Sequence, residues 1–324
     1  MWLGTAIHRL CADSDYLVTV LPTTAGMRTD ELVAAVTAPL DLIVAAGGDG
    51  TIRFVLGAVA QTGSQAPVGI IPLGTGNQLA RNLGLYDENI LADPLEDALK
   101  AILYGRPMRI DLGLMNGHYF AVAAGAGPMS DAVIIPGRDE KTNWKMLAYA
   151  SSMIQTFALP PVVFKVTTGD DSFNVSASGI FATNVADMGV GTLSDSAELN
   201  DGLLDLCILN PQEFTDYLEL GFRFAGGFVG GKAPYYIRKV DCVDIEVVPV
   251  RSPLSQLQRL GHRVRSFLSG KARALPPRHK EVIAMIDGDR CGTTPMHIEV
   301  VPQAVTILVT GDRERSSQFS DEPD

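Results

Sequence analysis

The chain has 324 residues, 46% of them hydrophobic and 19% charged, which excludes a disordered or fibrous protein and leaves room for about two domains with cores of their own. It carries 26 Lys and Arg against 37 Asp and Glu, a net charge of −11, and that balance argues against a protein that coats nucleic acid. Cys11, Cys207, Cys242 and Cys291 lie far apart with no CxxC pair, so neither a zinc site nor a disulfide framework is expected, and a reducing compartment is.

No apolar run reaches the roughly 18 residues of a membrane-spanning helix. Met1 to Ile7 is too short for a signal-peptide core and runs straight into His8 and Arg9. The expected location is cytoplasmic, with peripheral contact at the inner membrane face left open.

In chain order, Leu17 to Val20 is a short apolar run, and Asp30 to Val36 has helical spacing. Leu42 to Ala46 is a continuous apolar run ending in Gly47-Gly48; Thr51 to Gln61 is helical again, and Val68 to Ile71 is another strand. Short, wholly apolar strands alternating with helices predict a parallel sheet covered on both faces. After Asp111 the texture changes. Val162–Val166, Phe173–Val175, Ile180–Thr183, Leu203–Leu209, Val243–Val248, Val282–Ile286 and Ile298–Val301 read as strands separated by turn residues, with one helical insert near Lys145 to Phe157. Residues 1–112 therefore read as an α/β domain, 113–310 as a β-rich domain, and 311–324 as a mobile polar tail.

The strongest local feature is Ala45-Ala46-Gly47-Gly48-Asp49-Gly50-Thr51, a strand entering a glycine turn that a helix leaves. Glycines let a bulky anion approach the main chain. The first N–H groups of the helix lack internal partners and carry the positive end of its dipole, which suits phosphate. The segment is neither a P-loop nor a GxGxxG fingerprint. A lone glycine pair would read as a tight turn. A second loop of the same kind follows, Ile71-Pro72-Leu73-Gly74-Thr75-Gly76-Asn77. Loops at the carboxyl ends of neighbouring strands meet in one crevice. With Asp49, Thr51, Thr75 and Asn77 as polar groups, the pair points to a nucleotide cleft.

GGDGT at 47–51 and PLGTGN at 72–77 resemble the diacylglycerol kinase catalytic-domain family, in particular YegS-like bacterial lipid kinases. Arg109-Ile110-Asp111-Leu112-Gly113, the loop from Gly125 to Asp131, Asn200 to Asp205, Ile286 to Asp289 with Thr294-Pro295, and Val300 to Ala304 resemble later blocks of that family in the same order. The likeness runs from about residue 16 to residue 310. GGDGT alone is shared with NAD kinases and phosphofructokinases; the ordered set is far more specific.

The resemblance implies a Rossmann-like α/β nucleotide domain followed by a β-sandwich domain, with a cleft between them. It implies an ATP- and Mg²⁺-dependent phosphotransferase acting on a lipid hydroxyl, most simply diacylglycerol to phosphatidic acid. The alternatives are another lipid acceptor, such as phosphatidylglycerol or a sphingoid base, or a homologue that binds nucleotide or lipid with weakened catalysis. By position, Gly47, Gly48, Asp49, Gly50, Thr51, Ile52, Arg53 and Phe54, with Gly74, Thr75, Gly76 and Asn77, would line the ATP site. Thr23 or Thr24 would add an upstream contact. Asp49, Asn77 and Asp111 would form the phosphate and Mg²⁺ network. A second metal position would use Asp201 with main-chain oxygens near Glu198 and Leu203. Asp287 and Asp289 would be the catalytic acidic pair, with Asp289 accepting the proton of the lipid hydroxyl. Read without the family, Asp287-Gly288-Asp289 is a hairpin turn.

The sequence departs from the family pattern in four places. The family's first strand is missing, and the chain opens inside the first helix. Gln78 stands where aspartate is usual, Asp289 where glutamate is, and Asn200 replaces the first aspartate of its motif. A further segment, Arg251 to Lys280, holds eight Lys and Arg and no acid, so the remainder of the chain carries −19. Leu254, Leu257, Leu260, Val264, Phe267 and Leu268 recur there at helical spacing. A basic amphipathic helix of this kind either lies on an anionic membrane surface or packs its apolar side on the β domain. The expected partner is a lipid substrate at a membrane surface, with no nucleic acid; the oligomeric state is open, a dimer included. Gly226 to Gly231 is a candidate lid, and the five histidines are scattered and read as structural.

Overall fold

The computed structural model describes residues 2–12, 17–24, 27–86, 95–128, 161–187, 194, 197–210, 235–249 and 281–311. The insert at 145–157, the glycine stretch at 226–231, the basic segment at 251–280 and the tail beyond Gly311 lie outside the described residues.

The first half opens with α1 (Trp2–Ala12) and α2 (Thr29–Val36), then β1 (Ile43–Gly47), α3 (Asp49–Thr62), β2 (Val68–Pro72), α4 (Gln78–Asn82) and α5 (Glu96–Tyr104). Helices α2 and α3 show their cause in the sequence. Helix α2 has Asp30 and Glu31 in its first turn, where the dipole favours acid, and buries Leu32 and Val36 one turn apart. Helix α3 stops at Gly63, whose φ of 64° is the left-handed C-cap that glycine takes without strain. Ala6 and Leu10 of α1 pack with Leu99 and Ile102 of α5.

The second half adds β3 (Arg106–Met115), β4 (His118–Phe120), β5 (Ala123–Ala126), β6 (Val162–Thr168), β7 (Asp171–Ala177), β8 (Gly179–Thr183), β9 (Leu204–Leu209), β10 (Tyr235–Val240), β11 (Cys242–Val247), β12 (Ile283–Ile286), β13 (Asp289–Thr293) and β14 (Met296–Val309). Strands β10, β9, β8, β5, β12 and β13 form one antiparallel sheet in that order. The other sheet runs β1, β2, β14, β11, β6, β7, with β3 on β14 and β4 on β3. The two sheets pack through Met115, Phe120, Phe164, Val243 and Ile298 on one side and Ile180, Leu206 and Ala284 on the other.

Two differences from the sequence reading matter for the site. Leu17 to Val20 forms no strand, and Leu17 is 99% exposed. A strand needs a ladder partner, and β1 ends its sheet with only β2 beside it among the described residues. The first sheet is also mixed. Strands β1, β2 and the end of β14 run parallel, Ile307 pairing with Val68, while β3 lies antiparallel along β14.

Strand β3 crosses residues 112 and 113 without a break, and β14 serves both halves. Between Val301 and Val305 the β14 register shifts, with Gln303 at a φ of 48°. Such a bulge bends a strand and raises its twist, which lets one strand close the sandwich and then enter the α/β layer. A shared core follows. Ile52, Leu56 and Val59 of α3 belong to the same buried cluster as Phe181, Cys207 and Met285 of the antiparallel sheet. A Cβ on Gly57 would stand 3.3 Å from Tyr119 of β4.

Candidate active site

The glycine loops are in direct contact. Leu73 N–H donates to the Gly47 carbonyl at 2.8 Å. A Cβ added to Gly74 would lie 2.6 Å from the Gly48 Cα, and one on Gly48 would lie 3.3 Å from the Gly74 Cα. Only residues without side chains fit there. No side chain caps α3 at Gly48, so the start of a 14-residue helix is left to an outside acceptor. This cradle fits the phosphates of a nucleotide.

The polar residues of the loops build them. Asp49 accepts Asn77 N–H through Oδ2 at 2.8 Å and Gln78 N–H through Oδ1 at 2.7 Å. It thereby ties the start of α3 to the start of α4. Asn77 is buried, takes a φ of 51°, accepts Gly74 N–H at 2.9 Å and donates to the Gly74 carbonyl at 3.0 Å. Thr51 packs over Gly47, where a Cβ would meet its side chain at 2.7 Å. Ile52 is in the core and Phe54 packs against it, so neither side chain turns to the cleft. Thr75 and Gly50 are exposed at the cradle, with Gly76 half-buried. Thr23 is half-buried and Thr24 exposed, its carbonyl accepting Met27 N–H at 3.0 Å.

The acidic pair at the β12–β13 hairpin divides into two roles. Asp287 and Gly288 have φ of 46° and 83°, and Ile286 pairs with Asp289 across them, a two-residue turn with both central residues left-handed. Asp287 points inward and is buried. Its Oδ1 accepts Val122 and Ala123 N–H at 2.8 and 3.0 Å, and its Oδ2 accepts Ala121 N–H at 2.9 Å. Burial pushes its carboxyl above the usual range, while those N–H groups and Arg53 pull the other way. Its oxygens are spent on the backbone, so the catalytic part expected of Asp287 becomes a structural one. Asp289 points outward. Its Oδ2 lies 3.5 Å from where a Gly50 Cβ would stand, over the first turn of α3. The Arg53 guanidinium holds it there, Nη2 donating to Asp289 Oδ2 at 2.9 Å and Nη1 to the Ile286 carbonyl at 2.8 Å. The far half of the chain thus places the Asp289 carboxylate beside Gly50, the residue after Asp49, at the edge of the glycine cradle of the near half.

Arg53 was expected only among residues lining nucleotide; its grip on the hairpin spans 236 positions and leaves no trace in spacing. One signal was present: three positions after Gly50 on a helix is the same face. Asn184, missed altogether, donates through Nδ2 to the Asp111 and Ala121 carbonyls at 2.8 and 3.1 Å.

The expected metal ligands do not fit a resident ion. Asp111 is wholly buried, Oδ2 accepting Gly202 N–H at 2.7 Å and Oδ1 accepting Gln303 N–H at 2.6 Å. It is a knot between β3, the turn before β9 and the β14 bulge. Asp201 accepts Leu203 N–H at 3.0 Å and is paired with the Lys239 ammonium. Among the described residues no cluster of three or more His, Cys, Asp or Glu is placed to hold a metal. Gln78, in place of the usual aspartate, is buried beneath the cradle and supplies one of the N–H groups that Asp49 accepts.

Residues 3–115 match the family pattern described as diacylglycerol kinase catalytic domain. The chain is 30% identical over 203 residues to a diacylglycerol kinase of Bacillus subtilis, covering 61% of this chain and 64% of that protein, just under two thirds of its length. It is 31% identical over 228 residues to the "Probable lipid kinase YegS-like" of Pseudomonas putida, covering 69% of this chain and 75% of that one. The crystal structure of a diacylglycerol kinase from Bacillus anthracis str. Sterne superposes with a TM-score of 0.64 at 18% identity over 95% of this chain and 92% of that one, a likeness of fold.

Proposed function

This chain belongs to the diacylglycerol kinase catalytic-domain family, and from that premise we propose that it is a lipid kinase, transferring a phosphoryl group from ATP to a lipid hydroxyl, with diacylglycerol the first acceptor to test. The observation that carries the reading is the Asp289 carboxylate standing over the first turn of α3, beside two glycine loops that touch backbone to backbone.

When bound, ATP supplies the γ-phosphoryl group and brings Mg²⁺ as its counter-ion. The chain's own part is positioning. The open N-terminus of α3 and the glycine cradle bind the phosphates. Asp49 keeps the two loops in register. Asp289, free on its outer side, accepts the hydroxyl proton of the lipid, and Arg53 fixes where that carboxylate stands. Asp289 is one methylene shorter than the glutamate of the resemblance, and Arg53 fixes its position from the hairpin.

Among the described residues no helix is long and apolar enough to cross a membrane. The basic, acid-free sequence from Arg251 to Lys280 supports contact with an anionic bilayer, where the acceptor resides. Binding to anionic liposomes but not to neutral ones would support that contact; equal binding would remove it.

The test is transfer of labelled phosphate from [γ-³²P]ATP into a panel of lipids, including diacylglycerol, phosphatidylglycerol and a sphingoid base. A labelled lipid that disappears with Asp289→Asn supports the proposal. Nucleotide binding with no labelled lipid from any acceptor overturns it in favour of a binding protein.

A further inference from the structure

The turn at 198–203 carries a cation of its own. We propose that the Lys239 ammonium fills the place that the resemblance gives to a second divalent ion, so that this chain anchors the 198–203 turn to β10 with a covalently supplied charge.

The turn is pinned from two sides. On the inner side Asp111 accepts Gly202 N–H at 2.7 Å through Oδ2, and Asp111 N–H donates to the Leu199 carbonyl at 2.6 Å. On the outer side the second oxygen of Asp201 takes the Lys239 ammonium. Lys239 is on β10 directly across from Asp205 of β9. The charges of Asp205 and Glu198 favour the ammonium as well, while the ion pair itself is with Asp201. A divalent ion at Asp201 with main-chain oxygens near Glu198 and Leu203 would do the same work: offset crowded negative charge and join the turn to the sheet. It would compete with the Lys239 ammonium for the same Asp201 carboxylate, whose other oxygen accepts Leu203 N–H. A hard divalent ion takes six or more oxygen ligands and tolerates no ammonium among them.

The consequence is a turn whose anchoring to β10 does not respond to free divalent cation. The inference does not rest on the lipid-kinase reading, because its test measures melting and cation binding in the absence of nucleotide and lipid.

The experiment compares melting temperatures in EDTA and in millimolar MgCl₂ or CaCl₂, at matched ionic strength, for the full chain and for Lys239→Met, Lys239→Arg, Asp201→Asn and the Lys239→Met/Asp201→Asn pair. The expected result is that wild type and Asp201→Asn respond alike to divalent cation. Lys239→Met melts lower in EDTA, by about 1–4 °C, and regains much of that loss with divalent cation. The regain disappears in the double variant, and Lys239→Arg behaves as wild type. Terbium luminescence should show a new site in Lys239→Met that the double variant lacks. A wild-type stabilisation by Mg²⁺ or Ca²⁺ that Asp201→Asn abolishes would overturn the inference. So would a Lys239→Met protein whose melting ignores divalent cation.

Discussion

Asp49→Ala separates a residue that builds the cradle from one that touches ligand. The wild-type carboxylate accepts two backbone N–H groups, of Asn77 and Gln78, at 2.8 and 2.7 Å. Truncation leaves both donors without an acceptor in a half-closed crevice. Each unmade bond costs about 1–3 kcal/mol, and water entering the vacated space returns part of that, so the loss is roughly 2–4 kcal/mol. At about 2–4 °C per kcal/mol for a chain of this order, melting should fall by about 4–16 °C. Asp49→Asn keeps one acceptor and should lose about half as much. Thermal melting followed by circular dichroism gives the stability change, and titration with a non-hydrolysable ATP analogue gives the effect on binding. Both should fall together, because the same two bonds hold the loops in the shape that binds phosphate. An Asp49→Ala protein that melts within about 1 °C of wild type yet no longer binds the analogue would refute this reasoning. Asp49 would then be a ligand contact and the loops would hold without it.

Three further outcomes follow from the geometry. Asp289→Asn should abolish labelled lipid while leaving melting nearly unchanged, and Arg53→Gln should cut transfer by about 10–100-fold through misplacement of that carboxylate, with a stability loss of no more than about 1 kcal/mol because the pair is largely exposed on the aspartate side. Gly74→Ala puts a Cβ 2.6 Å from the Gly48 Cα, a clash with backbone that no rotamer relieves, so nucleotide affinity should fall steeply in an isothermal titration; unchanged affinity would show that the loops part easily. For Asp287 the sign follows from burial, which raises its native pKa above the ordinary value of 3.8. The folded protein holds that proton more tightly than the unfolded chain. Stability from this group is complete below the ordinary carboxylate range and declines as pH rises toward the native value. Melting profiles from pH 3 upward should show that decline, and Asp287→Asn should flatten it at a lower overall stability.

Local signals carried the loops and most of the strands. Gly47-Gly48 and Gly74 are readable because a backbone approach of this kind excludes every side chain, and the excluded side chain is visible as glycine. The apolar runs at 42–46, 68–71, 180–183 and 203–209 became β1, β2, β8 and β9 with ends shifted by a residue or so. What the sequence hid were partnerships with distant main chain. Asp111 looks like a ligand until Gly202 and Gln303, 91 and 192 positions away, are seen to use both its oxygens. Asp287 looks like the twin of Asp289 until the turn between them sends one inward and the other outward. Leu17 to Val20 has the composition of a strand, and composition cannot supply a neighbour to pair with.

The unbroken passage of β3 through residue 112 and the return of β14 into the α/β layer bear on how this protein can be dissected. Cutting at the apparent junction would sever a ten-residue strand in its middle and strip the amino-terminal piece of Val305 to Val309, which pair with Ile110 to Arg106. Neither fragment would retain a closed hydrophobic interior, so co-expressed halves should reassemble or precipitate rather than persist as independent bodies.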